Sequence, residues 1–283
     1  MTGKERMMCF LNGGRPDTIP VCPMFDRDYM IKAAGLGNRN WDEMANPERL
    51  AVIEGCYERH RNVDFIFCPT GRGSLPRIEP PSIESKITPQ MLKELWQEPL
   101  SSQQILDSKI YEYMPQLLKN YGNDVLLAFT INVPLAYAMN IFGGYENGLV
   151  AMAQRTEEFK LVYMELCRRT ASFLKTGSLL GMQCVWITQY YAGADTISPG
   201  MYREVVLPGE KFLFQEARNL NLKTMYWFLG DLMPILKDLL EVRPDALVLE
   251  PGRKGYVIDV GVIRKTAGND VGLCGFPDEQ HMV

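Results

Sequence analysis

The chain has 283 residues, 46% hydrophobic and 23% charged, a composition that suits a soluble globular protein with a large core rather than a disordered or fibrous one. A net charge of -4 supplies no basic field, so nucleic acid is excluded as the expected partner. Seven cysteines without a CxxC pair, several inside apolar runs, read as reduced and mostly buried thiols of a cytoplasmic protein.

The opening MTGKERMMCFLNGG is too short and too charged for a signal peptide. It predicts an amphipathic helix over 4–11, followed by Gly13-Gly14 and a strand over 19–24. A helix over 47–61 comes next, with Glu54, Glu58, Arg59 and Arg61 on its wet side, and then a strand over 63–68. Residues 69–81, containing GRGSLPR, form a Gly/Pro-rich loop too long to be an idle connection. Helical periodicity over 103–121 precedes a strand over 124–130. The apolar stretch 125–142 is broken by Thr130, Asn132, Pro134 and Asn140, which favours a strand followed by a loop over a membrane span. A helix over 157–176 is expected to stop at Gly177.

The strand over 185–188 leads through QYYAGADTI to Ser198-Pro199, an N-cap serine with proline at the first helical position. That helix is expected to reach about residue 220. Strands over 223–229, 246–250 and 271–276 alternate with helices over 233–241 and 259–265. Seven strands separated by helices predict an α/β parallel sheet with right-handed crossovers. The expected architecture is a single (β/α)8 TIM barrel over 1–283 whose last strand is missing, leaving the barrel incomplete at its C-terminus. An open doubly wound sheet is the alternative.

A strand buried on both faces is an almost continuous apolar run, and its carboxyl end carries the chemistry of an α/β protein. The runs GMQCVWITQYY, KTMYWFLGD and DALVLEP therefore single out Gln189, Tyr190, Tyr191, Asp195, Asp231 and Glu250. Glu250 and Asp231 stand at the ends of adjacent strands, where a carboxyl group must bind a metal, a base or a substrate to offset its desolvation. The blander roles are a helix cap for Asp231 and an ion pair with Arg253 or Lys254 for Glu250. Tyr190 and Tyr191 suit a carboxylate or an aromatic substrate, or simply pack the rim. Of Trp227 and Phe228, adjacent on one strand, one belongs to the core. His60 sits on a helix as a surface or capping residue, whereas His281, past the last strand, is a ligand or catalytic candidate. Two histidines supply neither His-rich metal chemistry nor an ordinary Ser-His-Asp triad. PGRKG at 251–255 is a weak anion-loop signal, and no GxGxxG, HExxH or GxSxG occurs.

The segment ADTISPGMYREVVLPGEKFLF, the strand ending in FLGD, the strand ending in LEP and the opening ERMMCFLNGGRPDTIPV resemble the uroporphyrinogen decarboxylase superfamily across most of the chain. The resemblance implies a (β/α)8 barrel with its site at the carboxyl ends of the strands. It also implies porphyrinogen decarboxylation, or methyl transfer between a corrinoid protein and a small molecule. Two departures narrow the choice. The decarboxylases carry an Arg-Gln-Ala-Gly-Arg run after their first strand to grip carboxylates, and here PMFDRD leaves Arg27 alone among acids. The thiol-directed methyltransferases carry a zinc-binding His-x-Cys where this chain has Trp227 and Leu229.

What the resemblance leaves is a methyltransferase that passes a methyl group from a methoxylated or N-methylated small molecule to a corrinoid protein, the O-demethylase-type component. In that reading Glu250, Asp231 and His281 activate the leaving atom, directly or through a divalent metal such as zinc at Glu250 and His281. Tyr190, Tyr191, Gln189, Asp195, Trp227 and Arg27 hold the substrate, the corrinoid comes with the partner protein, and a homodimer is compatible. A decarboxylase of a small or tetrapyrrole carboxylic acid is the second reading, with Arg27, Arg253 or Lys254 gripping the carboxylate. A binding barrel without chemistry is the third.

Overall fold

The computed structural model describes residues 1–37, 39–69, 86–95, 99–250 and 255–275. Among the described residues six strands form one sheet: β1 (Phe65–Cys68), β2 (Leu126–Asn132), β3 (Cys184–Gln189), β4 (Lys223–Phe228), β5 (Ala246–Leu249) and β6 (Gly272–Gly275). They lie side by side in chain order, and every neighbouring pair is parallel. The sheet curls as an incomplete (β/α) barrel, so β1 to β5 bury both faces for most of their length, whereas the edge strand β6 does not. Phe65, Ala128, Cys184, Trp186, Met225 and Val248 pack together in the lumen. The residues between them, such as Ile66, Phe129, Val185, Ile187, Tyr226 and Leu247, join the larger core beneath the helices. Period two applied to two apolar faces is what produces continuous apolar runs in the sequence.

The helix Gly3–Leu11 closes the amino end of the lumen with Met7 and Leu11. Thr2 and Glu5 form its capping box. The Lys4 amide donates to the Asp124 carbonyl at 2.8 Å, which ties the helix to the start of β2. Among the described residues no helix is long and apolar enough to cross a membrane.

The sequence expectation fails at specific points, each with a physical cause. Residues 19–24 run extended beside β1 but are not a ladder strand. The Asp64 amide donates to the Val21 carbonyl at 2.8 Å, and the Val21 amide turns to the Asp64 carboxylate at 2.7 Å. Pro20 and Pro23 have no N–H to continue the pairing. The helix Thr156–Leu179 passes through Gly177, and the reversal comes at Gly181, whose φ is +87°. The expected single helix over 103–121 is two, Ser102–Asp107 and Met114–Tyr121, with Lys109 at φ +65° between them. After β2 the expected loop contains a helix, Leu135–Ile141. Ser198 caps as expected, its hydroxyl accepting the Met201 amide at 3.2 Å. A π-turn, Tyr202–Val206, then precedes Leu207–Asn219, because Pro208 cannot supply the next helical donor.

Candidate functional site

A cavity of about 1040 Å³ opens at the carboxyl ends of β1 to β4. Its floor follows from strand register. Asn132 of β2 is level with Thr188 of β3, which is level with Trp227 of β4, and all three line the cavity. Phe67 of β1 and Met24 complete the lumen side, and Tyr190 stands just past β3. The cavity continues behind β2 along Leu166, Arg169, Thr170 and Phe173 of the helix Thr156–Leu179. Its volume is at the upper end of the usual range for small-molecule sites.

The wall is aromatic where it meets the lumen. The Trp186 and Trp227 rings lie 6.1 Å apart edge to face, and Phe67 meets Trp186 at 5.5 Å in the same manner. Below the cavity, the buried Trp186 indole N–H has no acceptor among the described residues. The Tyr111 hydroxyl, in the cavity wall, is likewise buried without a partner. Burial raises the pKa of Tyr111 and of Tyr190, so both phenols stay protonated as hydrogen-bond donors.

Among the described residues, charge in the cavity wall is balanced. Asp26, Arg27 and Asp28 come from the start of the helix Arg27–Ala33, where Asp26 caps the helix by accepting the Tyr29 amide at 2.6 Å. Arg27 stands 3.5 Å from Asp42, with its guanidinium 5.9 Å from the Trp41 ring centre. Arg169, the other cation in the wall, pairs with Glu165 at 3.2 Å.

Of the residues singled out from sequence, Arg27, Tyr190 and Trp227 meet in this cavity. Gln189 does not, because strand alternation points it away from the lumen, where its amide donates to Glu210 at 2.6 Å. Glu210 is fully buried there and also accepts hydrogen bonds from the Tyr202 and Tyr226 hydroxyls, each at 2.6 Å. Tyr191 has φ +66° and lies outside the cavity lining, its ring between those of Tyr145 at 5.0 Å and Tyr190 at 6.2 Å. Asp195 and Asp231 fasten the loops after β3 and β4 to each other. The Asp231 amide donates to Asp195 Oδ1 at 2.8 Å, and the Ala194 amide returns to the Asp231 carbonyl at 2.8 Å. The Asp231 carboxylate itself accepts the Met233 amide at 3.1 Å, one residue before Leu232, which holds the N-cap position of the short helix Met233–Ile235.

Glu250 is half-buried directly after β5, outside the cavity lining, and has no hydrogen-bond or ion-pair partner among the described residues. His281, Arg253 and Lys254 lie outside the described residues. Among those described, no group of three His, Cys, Asp or Glu side chains is placed to hold a metal ion. Sequence reasoning missed Thr130, Asn132 and Thr188. The signal was present: they share the parity of Leu126 and Ala128 in β2, and of Cys184 and Trp186 in β3, all lumen residues.

The sequence matches the family model for uroporphyrinogen decarboxylase (URO-D) over residues 69–276. The chain belongs to the uroporphyrinogen decarboxylase family. Among solved structures, a methyltransferase from Methanosarcina mazei superposes with a TM-score of 0.72 at 14% sequence identity. The superposition covers 96% of this chain and 82% of that one, and it is a likeness of fold. No curated protein matches the sequence. Among the described residues the wall carries two arginines and two aspartates, which is no excess of cations.

Proposed function

We propose that this chain is a methyltransferase of the uroporphyrinogen decarboxylase family that takes a methyl group from a methoxylated or N-methylated small molecule and delivers it to a corrinoid carried by a partner protein. The observation that carries the reading is the cavity itself: an aromatic wall at Trp227, neutral donors at Asn132, Thr188 and Tyr190, and cations each beside an acid. Such a wall favours a neutral, partly aromatic ligand over a polyanion. The shared fold with a protein named as a methyltransferase adds support at the level of architecture.

The corrinoid supplies the nucleophile that receives the methyl group. This chain's residues bind and orient the donor and shield it from water. Trp227 offers a ring face to the donor. Tyr190, kept protonated by burial, donates to the leaving oxygen or nitrogen as it gains charge. No step is assigned to a metal, since the described donor set does not assemble one.

The test is methyl transfer from a panel of methoxyarenes and N-methyl compounds to cob(I)alamin, followed by its absorbance. Donor-dependent loss of the cob(I)alamin spectrum is expected, and no transfer from any donor overturns the proposal. Arg27, whose guanidinium reaches the cavity wall, favours a second reading, decarboxylation of a small carboxylic acid. Carbon dioxide release without a corrinoid would select it. Ligand binding with neither reaction would select a barrel that binds without chemistry.

A further inference from the structure

We propose that Glu210 is a positioning residue for the cavity: from behind the sheet its carboxyl group fixes the carboxyl ends of β3 and β4, and through Gln189 it sets the orientation of Tyr190. The inference rests on the reading of Tyr190 as donor to the leaving atom. Glu210 itself lines no part of the cavity.

The carboxyl group is first held from its own helix. Glu210 stands in the first turn of Leu207–Asn219, and Tyr202 begins the π-turn before it. Residues eight apart on a regular helix are rotated by about 80° from each other. The extra residue of a π-turn makes the spacing behave as about seven, which brings the two nearly onto one face. The Tyr202 hydroxyl accordingly donates to Glu210 Oε2 at 2.6 Å. The helix is also seated closely against Thr156–Leu179, where a Cβ at Gly209 would run into the Tyr163 ring and the Cys167 sulfur.

The other carboxyl oxygen, Oε1, faces the sheet. It accepts the Gln189 amide of β3 and the Tyr226 hydroxyl of β4, each at 2.6 Å. Both donors alternate with cavity residues: Gln189 lies between Thr188 and Tyr190, and Tyr226 directly precedes Trp227. Glu210, Gln189 and Tyr226 are fully buried, so water does not compete for these bonds. Gln189 is the last residue of β3, and its carbonyl accepts the Leu229 amide at 3.1 Å. Beyond it the chain turns away through Tyr191 at φ +66°. Among the described residues, Glu210 is the one partner of the Gln189 side chain, whose Oε1 is buried without a donor. Loss of that bond releases the last fixed side chain before Tyr190.

The three bonds supply an internal control. Tyr202→Phe removes a bond to Glu210 on the helix side, and Gln189→Met removes one on the sheet side. Each variant leaves the other two bonds in place. A carboxyl group that only stabilises the fold gives the two variants similar effects, whereas a positioning residue lets only the sheet side reach the cavity.

A ring-fluorinated tyrosine placed at position 190 of the full chain reports its surroundings by fluorine NMR with no donor or corrinoid present. The resonance is expected to shift or broaden in Gln189→Met. It should keep its wild-type position in Tyr202→Phe and in Glu210→Gln, which retains an acceptor for both sheet donors. In methyl transfer, Gln189→Met should lower the turnover number by about tenfold with KM within about twofold. In a Tyr190→Phe background the same substitution should cost less than about twofold, because its effect runs through the Tyr190 hydroxyl. An unmoved resonance in Gln189→Met, an equal shift in Tyr202→Phe, or a full tenfold loss in the Tyr190→Phe background overturns the proposal. Absence of methyl transfer from every donor removes the proposed reaction, and the resonance then decides alone whether Glu210 holds Tyr190 in place.

Discussion

Thr188 of β3 and Trp227 of β4 are direct partners in the parallel ladder, and both face the cavity. The pair sets a hydroxyl beside an indole on one level of the floor, a polar contact next to an apolar face. Trp227→Ala is therefore expected to weaken binding of the donor by at least about tenfold, or about 1.4 kcal/mol. Trp227→Phe should restore most of it, and Thr188→Val should cost about 1 kcal/mol through the lost hydroxyl alone. Calorimetric titration with whichever donor supports turnover measures all three. Equal affinity in wild type and Trp227→Ala would place the donor elsewhere.

Tyr190 and Tyr191 are neighbours in sequence with opposite environments. Tyr190 lines the cavity, while Tyr191, 44% exposed, turns out toward Tyr145. Tyr190→Phe should lower the turnover number by about 10²-fold or less, since a single hydrogen-bond donor to a leaving group is lost. Tyr191→Asn should leave turnover within about twofold, because asparagine tolerates the left-handed backbone better than tyrosine does. A larger effect at Tyr191 than at Tyr190 would contradict the geometry.

Much of this arrangement is legible in the sequence because parallel strands buried on both faces leave unbroken apolar runs. Cys184–Gln189 and Lys223–Phe228 stand out for that reason. Strand ends locate the mouth, but only parity separates Thr188, which faces in, from Gln189, which faces out. That parity could be read by counting from Trp186. The partner of Gln189 could not, because Glu210 lies on the following helix and meets it only through packing. Nor could the mutual fastening of Asp195 and Asp231 be read, since it depends on two loops approaching across neighbouring strands. An acidic residue after a strand looks the same in sequence whether it serves substrate or backbone.

Gly177 shows the same limit in a glycine. The sequence suggests a helix stop, but the residue lies within the helix Thr156–Leu179, at a point where Phe129 of β2 leaves no room for a side chain. A Cβ there would run into the Phe129 ring. Gly177→Ala is expected to destabilise the protein by about 1–3 kcal/mol through overpacking, more than offsetting the better helix propensity of alanine. Urea denaturation measures this, and a stabilised variant would show that the ring yields freely.

Glu210 is the buried carboxyl group that the cavity does not use, and its surroundings predict a pH dependence. Burial raises its pKa above the ordinary 4.5, against hydrogen bonds from Tyr202, Tyr226 and Gln189 that favour the charged form. The folded chain therefore holds this proton more tightly than the unfolded chain. The resulting stability is fully present below the unfolded pKa and is lost as pH rises through the folded one. Glu210→Gln keeps an acceptor for Gln189 and Tyr226 and can donate to the Tyr202 oxygen, but it cannot ionise. As pH rises above 4.5, its stability should gain on wild type, by no more than about 1.4 kcal/mol per pH unit. Glu210→Ala orphans two tyrosine hydroxyls and should cost about 3 kcal/mol without that trend. Urea denaturation from about pH 5 to 8 distinguishes these outcomes. Parallel profiles for wild type and Glu210→Gln would mean that the carboxyl keeps one charge state in the folded and unfolded chain alike.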